Sequence, residues 1–330
     1  MGVLGAGSFG TCLAMVLARE HDVTIWARKP DIAESINREH RNPGYLRAVQ
    51  LPERIRATTD LAEALENREL VICAIPSHGV RDVMGRAAAS LSEEAIVVST
   101  VKGIEVGSWM RMDEVLREVL RPVHHPRLVF LSGPSFAQEI AESKPTAVTL
   151  ACRVDSYAIS VQQSISCPWF RCYTSTDVIG AELAGALKNV IAIAVGICDG
   201  LGFGQNARAA LMTRGLREIS RLGVELGAEP MTFLGLAGVG DLVLTCTGDL
   251  SRNRTVGLEL GRGRSLAEIV GAMTQVAEGV RTTRAACALA DLHGVDMPIC
   301  QGVKRVLDGE VAPEKAADQL MNRQLRSENE

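Results

Sequence analysis

The stretch from Val178 to Cys198 constrains the fold most, because it is apolar on nearly every face. Its only polar side chains are Glu182, Lys188 and Asn189. A helix without a solvent-facing side belongs inside a helical bundle or in a lipid bilayer. A charged group near the middle of a bilayer costs about 2.5 to 3.5 kcal/mol, and no belt of tyrosine or tryptophan flanks this segment. We therefore expect the central helix of a helical domain and no membrane span.

Lys188 is the notable residue of this helix. Its ammonium group would lie beside an aliphatic core, where a lysine needs a partner or a chemical task. The helix alone leaves two interpretations open. The side chain either extends between helices to reach solvent, or it is a catalytic lysine with a lowered pKa.

Composition excludes several classes of function. The 330 residues are enough for two domains and a large core. The net charge is −4 and the basic residues are scattered, which argues against a nucleic-acid partner. The nine cysteines form no CxxC pair and are typical of reduced thiols, and the six histidines lack metal-ligand spacing, so we expect no metal site. The chain starts without a secretory leader, which predicts a cytoplasmic protein.

The first half alternates apolar, strand-like segments with helical patterns. The predicted strands are Gly2 to Leu4, Val23 to Trp26, Leu70 to Ile75, Ala95 to Val101, Leu128 to Ser132 and Ala147 to Ala151. Apolar strands joined by helices predict an α/β fold with a Rossmann-type, doubly wound, mainly parallel sheet. The first strand is short, which leaves open whether the native start lies upstream of Met1.

From about Ser175 onward the chain shows only helical patterns. We therefore predict two domains, a dinucleotide-binding domain over residues 1–174 and a helical substrate or catalytic domain over residues 175–330. The apolar helical half also suggests a self-associating surface, for which a homodimer is the simplest expectation.

A GxGxxG motif at Gly5, Gly7 and Gly10 follows the first strand and opens a helix near Ser8. The first glycine permits a tight turn, the second lets a pyrophosphate approach the backbone, and the third lets helix and strand pack closely. The start of the helix then offers N–H donors and a partial positive charge to the phosphates. The motif in this context predicts a dinucleotide cofactor.

The second predicted strand is followed by Arg28 and Lys29. An NAD-selective site would have an Asp or Glu here to bind the ribose hydroxyls, and the next carboxylate is Asp31. Two cations suit a 2′-phosphate instead. We expect both NADP and NAD to bind, with NADPH at least as good as NADH.

A substrate site is predicted at the carboxyl edge of the sheet, where parallel strands bind ligands. Lys102 and the segment from Ser132 to Ser135 end two of the predicted strands. Asp241 is expected on a glycine-flanked turn. The segment from Ser251 to Arg254 starts a helix and combines guanidinium, amide and free N–H groups, which suits an anion. These features predict a small phosphorylated substrate.

Six motifs in order, GAGSFGT, STVKG, SGPSFAQE, ELAGALKN, GLAGVGDLVLTCT and SRNR, strongly resemble the NAD(P)-dependent glycerol-3-phosphate dehydrogenases of bacterial type over almost the whole chain. The resemblance implies reduction of dihydroxyacetone phosphate to sn-glycerol 3-phosphate for phospholipid biosynthesis. It also implies a C-terminal domain like that of 6-phosphogluconate dehydrogenase. Phe9 departs from the tryptophan of many relatives.

The resemblance also implies roles for individual residues. Lys188 would be the proton donor and acceptor, with Lys102 and Asp241 as further catalytic residues. We expect burial and Lys102 to lower the pKa of Lys188 and Asp241 to limit the shift. The implied cofactor contacts are Gly5, Gly7, Ser8, Phe9, Gly10, Arg28, Lys29, Lys102, Ala137, Arg252, Val276 and Glu278. The implied substrate contacts are Lys102, Gly133, Ser135, Lys188, Asp241, Ser251, Arg252 and Asn253.

Two alternatives stay open from the sequence. An NADP-dependent β-hydroxyacid dehydrogenase has a similar helix, but its lysine is typically followed four residues later by asparagine, whereas this chain has Ala192 there. A redox sensor that binds NADPH without turnover would need the glycine motif but not Lys102, Lys188 and Asp241.

Overall fold

One sheet organises the N-terminal half of the protein. The computed structural model describes residues 1–273, 277–325 and 327–328. The strands are β1 (Gly2–Leu4), β2 (Val23–Trp26), β3 (Ile55–Thr58), β4 (Leu70–Cys73), β5 (Ile96–Ser99), β6 (Leu128–Ser132), β7 (Thr146–Ala151) and β8 (Phe170–Ser175). They lie in the order β3-β2-β1-β4-β5-β6-β7-β8. All neighbours are parallel except β6 and β7, which confirms a mainly parallel, doubly wound sheet.

Helices cover the sheet and then form the C-terminal half. The helices among the strands are α1 (Ser8–Leu17), α2 (Pro30–Glu39), α3 (Leu61–Leu65), α4 (Val80–Ala87), α5 (Met112–Val119), α6 (Ala137–Ala141) and α7 (Asp155–Ile165). The later helices are α8 (Val178–Gly200), α9 (Gln205–Glu225), α10 (Asp241–Thr247), α11 (Arg252–Gly261), α12 (Leu266–Ala272), α13 (Glu278–Leu292), α14 (Pro298–Leu307) and α15 (Pro313–Met321). We call the two parts the sheet domain (β1–β8 with α1–α7) and the helical domain (α8–α15).

The sequence analysis missed β3, β8 and α7. Both strands lie at edges of the sheet and carry polar residues on their outward face, such as Arg56 in β3 and Arg171 in β8, so neither is a continuous apolar run. Helix α7 buries only Ala158, Val161 and Ile165, a stripe too sparse to be recognised. The helical pattern from Trp109 to Leu120 predicts a helix there, but α5 begins at Met112, because Trp109 has a φ of +60°, outside the helical range.

Helix α8 is surrounded by protein, which explains its apolar composition. All of its residues from Val178 to Cys198 except Ile179 are buried. The helix is long and apolar enough to cross a membrane, yet 94% of its most apolar window is buried inside the protein. Its side chains form one core with helices α9, α10, α11, α13 and α14.

Two buried carboxylates fix the start of α8. Asp177 caps the helix by accepting a hydrogen bond from Gly180 N at 2.8 Å, and it also accepts from Thr232 Oγ1 at 2.6 Å. Glu182 accepts from Asp113 N at 2.8 Å and lies 3.6 Å from Arg111 Nε. Burial raises the pKa of Glu182 to about 8. Glu182 thus joins α8 to α5 of the sheet domain.

Helices α8 and α11 cross at a distance that only glycine permits. A Cβ atom at Gly196 would lie 2.8 Å from Leu258 N and 2.9 Å from Gly257 Cα. These neighbours are backbone atoms, which cannot move aside as a flexible side chain can. The two helices, and the residues they carry, are therefore held in a fixed relation.

We predict that Gly196→Ala lowers the free energy of unfolding by about 3 kcal/mol, because overpacking a close helix crossing forces the backbones apart. The measurement is urea unfolding followed by circular dichroism. Gly85→Ala in α4 is the matched control, since a Cβ there meets nothing within 4 Å and gains up to about 1 kcal/mol in helix propensity. Equal stability of the two variants would contradict the close crossing.

Candidate active site

Three charged side chains from three different elements meet at the carboxyl edge of the sheet. Lys102 follows β5, Lys188 lies on α8, and Asp241 begins α10. Lys102 Nζ donates to Asp241 Oδ2 at 2.6 Å and to Gly133 O at 3.0 Å. Lys188 Nζ lies 3.2 Å from Asp241 Oδ1. Asp241, which is 2% exposed, thus bridges two ammonium groups.

Lys188 does not extend to solvent, so the first interpretation of this residue is wrong. It is 5% exposed, and its Nζ donates to Thr245 Oγ1 at 2.7 Å and to Asn189 Oδ1 at 3.1 Å. Burial lowers the pKa of Lys188 to about 8, Asp241 opposes that shift, and Lys102 adds to it. Both protonation states are accessible near neutral pH, as a group that gives and takes a proton requires.

Asp241 is not on a turn, as the glycines around it led us to expect. Residues Leu236–Gly240 form one turn of π-helix, and Asp241 is the first residue of α10. Gly238 allows this coil, because a Cβ atom there would collide with the backbone of Phe233. The helix brings Thr245, four residues on, to the same face, where its Oγ1 lies 3.3 Å from Asp241 Oδ1.

Around Lys188, sequence reasoning missed two residues, Thr245 and Asn189. The signal for Thr245 is its spacing of four from Asp241, which has meaning only once a helix is assigned there. Asn189 was noted as polar on α8 but given no role. Its Oδ1 accepts from both Lys188 Nζ and Asn253 Nδ2, the latter at 2.9 Å.

The start of α11 faces the same crevice. Ser251 caps the helix by accepting from Arg254 N at 3.2 Å. Asn253 Oδ1 accepts from Gly279 N at 2.9 Å. Burial lowers the pKa of Arg252, and the charge of Glu278 opposes that shift. The amide of Asn253 and the start of α11 therefore lie next to Asn189, and Arg252 is the first residue of that helix. These groups suit an anion.

Gly133 and Ser135 border the crevice on the sheet side. Gly133 has a φ of +129°, and a Cβ atom there would lie 3.1 Å from Val148 Cα. Ser135 Oγ donates to Gly133 O at 2.9 Å, the same carbonyl that accepts from Lys102. Lys102, Gly133 and Ser135 therefore form one hydrogen-bonded cluster at the carboxyl edge of the sheet.

The glycine motif has the geometry of a phosphate-binding loop. Gly5 has a φ of +114°, and a Cβ atom there would lie 2.6 Å from Ala74 O. A Cβ atom at Gly10 would collide with Gly5 O. At Gly7, the residue before α1, a Cβ atom would meet nothing within 4 Å, so the space in front of the helix is open. The N–H groups at the start of α1 fit the pyrophosphate of a dinucleotide.

Further predicted cofactor residues surround this loop. Phe9 and Ala137 are half-buried against the core of the sheet domain. Ser8 Oγ donates to Tyr45 O at 3.4 Å. Arg28 and Lys29 are exposed after β2, which neighbours β1. Strand β2 therefore brings both cations to the carboxyl edge beside the glycine loop.

Helix α13 brings Glu278 from the helical domain to the sheet domain. The carboxylate accepts from Ser77 N at 3.1 Å and from Ser77 Oγ at 2.6 Å. A Cβ atom at Gly103 would lie 3.6 Å from Glu278 Oε2, which places this carboxylate beside the loop of Lys102. Val276, the other cofactor contact predicted nearby, lies outside the described residues. Ser77 was not predicted.

Two family models match the chain. Residues 1–158 match the N-terminal model, and residues 177–318 the C-terminal model, of NAD-dependent glycerol-3-phosphate dehydrogenase. Proteins named glycerol-3-phosphate dehydrogenase (NAD(P)+) from Myxococcus xanthus and Citrifermentans bemidjiense are 51% and 50% identical over 327 residues, or 99% of this chain and 98% of each relative. These matches favour neither a β-hydroxyacid dehydrogenase nor a redox sensor.

Solved structures agree. The crystal structure of glycerol-3-phosphate dehydrogenase from Coxiella burnetii has a TM-score of 0.92 at 38% identity, covering 97% of this chain and 98% of that one. A ketopantoate reductase from Ralstonia eutropha, at 16% identity and a TM-score of 0.57 over 96% of this chain and all of its own, shares the fold alone. The chain belongs to the NAD-dependent glycerol-3-phosphate dehydrogenase family.

Proposed function

We propose that the protein reduces dihydroxyacetone phosphate to sn-glycerol 3-phosphate with NADPH or NADH. The observation that carries this proposal is the Lys102–Asp241–Lys188 cluster, which lies at the carboxyl edge of the sheet beside the start of α11. A ketone oxygen needs a proton donor and a cation as it becomes an alkoxide. The cluster offers both, and α11 offers an anion site for the phosphate.

The residues of the chain supply proton transfer and charge stabilisation. The nicotinamide cofactor supplies the hydride when it is bound. Lys188 donates a proton to the C2 oxygen in reduction and accepts it in oxidation. Asp241 keeps the buried ammonium protonated, and Lys102 stabilises negative charge on the same oxygen. Thr245 holds Lys188 in place through the hydrogen bond to its Nζ.

The remaining substrate residues orient the molecule. Ser251, Arg252 and Asn253 bind the phosphate with the N–H groups at the start of α11. Gly133 and Ser135 border the opposite end of the crevice. Holding both ends fixes the carbonyl relative to Lys188, which removes much of the entropic cost of the reaction.

The cofactor residues are assigned by the same geometry. Gly5, Gly7 and Gly10 with Ser8 and Phe9 bind the pyrophosphate end. Arg28 and Lys29 face the 2′-phosphate of NADP and make NADPH at least as good a donor as NADH. The residues that complete the site are Lys102, Ala137, Arg252, Val276 and Glu278.

We also propose a cytoplasmic homodimer that supplies phospholipid biosynthesis. Support for association comes from exposed apolar side chains of the helical domain, Val224 at 45%, Met231 at 71% and Leu234 at 61%. The boundary between domains is proposed between residues 174 and 175, near the end of β8 and before Asp177.

The first prediction for the active site concerns the proton donor, Lys188. Lys188→Ala should lower turnover of dihydroxyacetone phosphate by about 10²- to 10⁴-fold, because general acid catalysis is lost. NADPH affinity should be unchanged, since Lys188 contacts Asp241, Thr245 and Asn189 and no residue of the glycine loop. The measurements are NADPH oxidation and a fluorescence titration of NADPH.

The unmodified protein is the control for that experiment, assayed with dihydroxyacetone phosphate and, separately, with 3-hydroxyacids and NADP+. Turnover of the acids instead of the phosphate ester would overturn the proposed function. Stoichiometric NADPH binding without turnover of either substrate would point to the redox sensor. Near-normal activity of Lys188→Ala would rule out its assigned role.

The second prediction concerns pH. Reduction needs protonated Lys188, so kcat/KM for dihydroxyacetone phosphate should fall as the pH rises through about 8. Asp241→Asn removes the charge that raises the pKa of Lys188, so the fall should begin at lower pH. Oxidation of glycerol 3-phosphate needs the neutral amine and should increase over the same range. Identical midpoints in the two proteins would contradict the coupling.

The third prediction concerns the phosphate. Arg252→Ala should raise KM for dihydroxyacetone phosphate by about 10- to 100-fold, the cost of losing hydrogen bonds to a charged group. Unphosphorylated dihydroxyacetone at saturating NADPH serves as the control, since it offers no phosphate. An equal loss toward both substrates would show that Arg252 does not recognise the phosphate.

A further inference from the structure

The first turn of α13 crosses from the helical domain to the sheet domain. Glu278 accepts hydrogen bonds from Ser77 N and Oγ, in the short 3₁₀ turn Ser77–Gly79 after β4. Strand β4 neighbours β1, which carries the glycine loop. The start of α13 therefore lies against the cofactor side of the crevice.

Arg281 lies on this same face of α13. It follows Glu278 by three residues, the spacing that places two side chains next to each other on a helix. Glu278 contacts Ser77, and His78 is the next residue of that turn. Arg281 is thus placed on the side of α13 that faces the Ser77–Gly79 turn.

A charge effect on His78 agrees with this placement. Burial lowers the pKa of His78, and the positive charges of Arg281 and Arg28 lower it further, while Glu278 opposes them. The carboxyl ends of β2 and β4 both lie directly beside that of β1. Three cationic or titratable groups from three elements therefore converge, Arg28 after β2, His78 after β4 and Arg281 on α13. We call them the Arg28–His78–Arg281 group.

Arg28 and Arg281 carry positive charge that no ion pair within the described residues offsets. Within residues 1–273, 277–325 and 327–328, neither Arg28 nor Arg281 forms a hydrogen bond or ion pair, and both are exposed. Arg284, one turn further along α13, is by contrast ion-paired, at 2.7 Å from Asp308. Glu278 is the nearby carboxylate, and its oxygens accept from Ser77.

We infer that Arg281 is a specificity-determining residue, which binds the 2′-phosphate of NADP together with Arg28 and His78. The inference rests on the proposed function and adds to it a residue of the helical domain. The end of β2 is where the adenosine ribose lies in this fold. A phosphomonoester carries a charge of about −1.5 to −2 near neutral pH, and a guanidinium binds it through paired hydrogen bonds. NADH has only neutral hydroxyls at this position.

The test is Arg281→Gln, which removes the charge but keeps a polar side chain. Dissociation constants for NADPH and NADH are measured by fluorescence titration. We expect NADPH affinity to fall about 10- to 100-fold and NADH affinity to change less than about 2-fold. Adenosine 2′,5′-bisphosphate should lose competitive strength to the same extent, and adenosine 5′-monophosphate should not. Arg284→Gln is the matched control and should alter neither affinity.

Several outcomes would overturn the inference. They are unchanged NADPH affinity in Arg281→Gln, an equal loss for NADPH and NADH, and an equal effect of Arg284→Gln. These titrations need no substrate, so they separate this inference from the proposed function. Loss of 2′-phosphate selectivity in a protein that fails to reduce dihydroxyacetone phosphate would support the role of Arg281 and reject the proposed reaction. If the protein reduces dihydroxyacetone phosphate but Arg281→Gln leaves its 2′-phosphate selectivity unaltered, the proposed reaction is supported and the role of Arg281 is rejected.

Discussion

The carboxylate of Asp241, held between the ammonium groups of Lys102 and Lys188, is the interaction on which the site depends. Two like charges in a buried crevice repel each other strongly, and a buried lysine without a counter-charge loses its proton. Asp241 offsets both effects and leaves the pKa of Lys188 near 8. The three residues of this cluster come from three elements: Lys102 from the carboxyl edge of the sheet, Lys188 from α8, and Asp241 from the position after the π-helical turn. All three elements must therefore be in place before the cluster can form.

The rest of the fold meets this requirement through short, specific contacts. Asp177 and Glu182 fix the start of α8 to the helical and sheet domains respectively. Gly196 lets α11 lie directly against α8, so Asn253 reaches Asn189 beside Lys188. Gly238 permits the π-helical turn before Asp241, and the carboxylate of Asp241 then lies between Lys102 and Lys188. Packing at glycine positions and buried carboxylates thus sets the distances between Lys102, Asp241 and Lys188.

Local patterns allowed much of this to be predicted from the sequence. The glycine motif, the apolar α8 and the lysine within it each have a meaning that a few neighbouring residues define. Thr245 was missed because its role depends on a helix that the flanking glycines concealed. Ser77 and Arg281 were missed for a different reason, since their significance arises from the meeting of segments about 200 residues apart in sequence, and spacing along the chain does not encode that contact.

One path of hydrogen bonds connects Lys188 to the start of α13. Lys188 Nζ donates to Asn189 Oδ1, which also accepts from Asn253 Nδ2. The other side-chain atom of this amide, Asn253 Oδ1, accepts from Gly279 N at the start of α13. The residue before Gly279 is Glu278, which binds the sheet domain through Ser77. Glu278 and Gly279 both lie in the first turn of α13. A displacement of this turn therefore moves the contact with Ser77 and the contact with Asn253 together. The fold thereby couples the surroundings of Lys188 to the contact between the helical domain and the sheet domain.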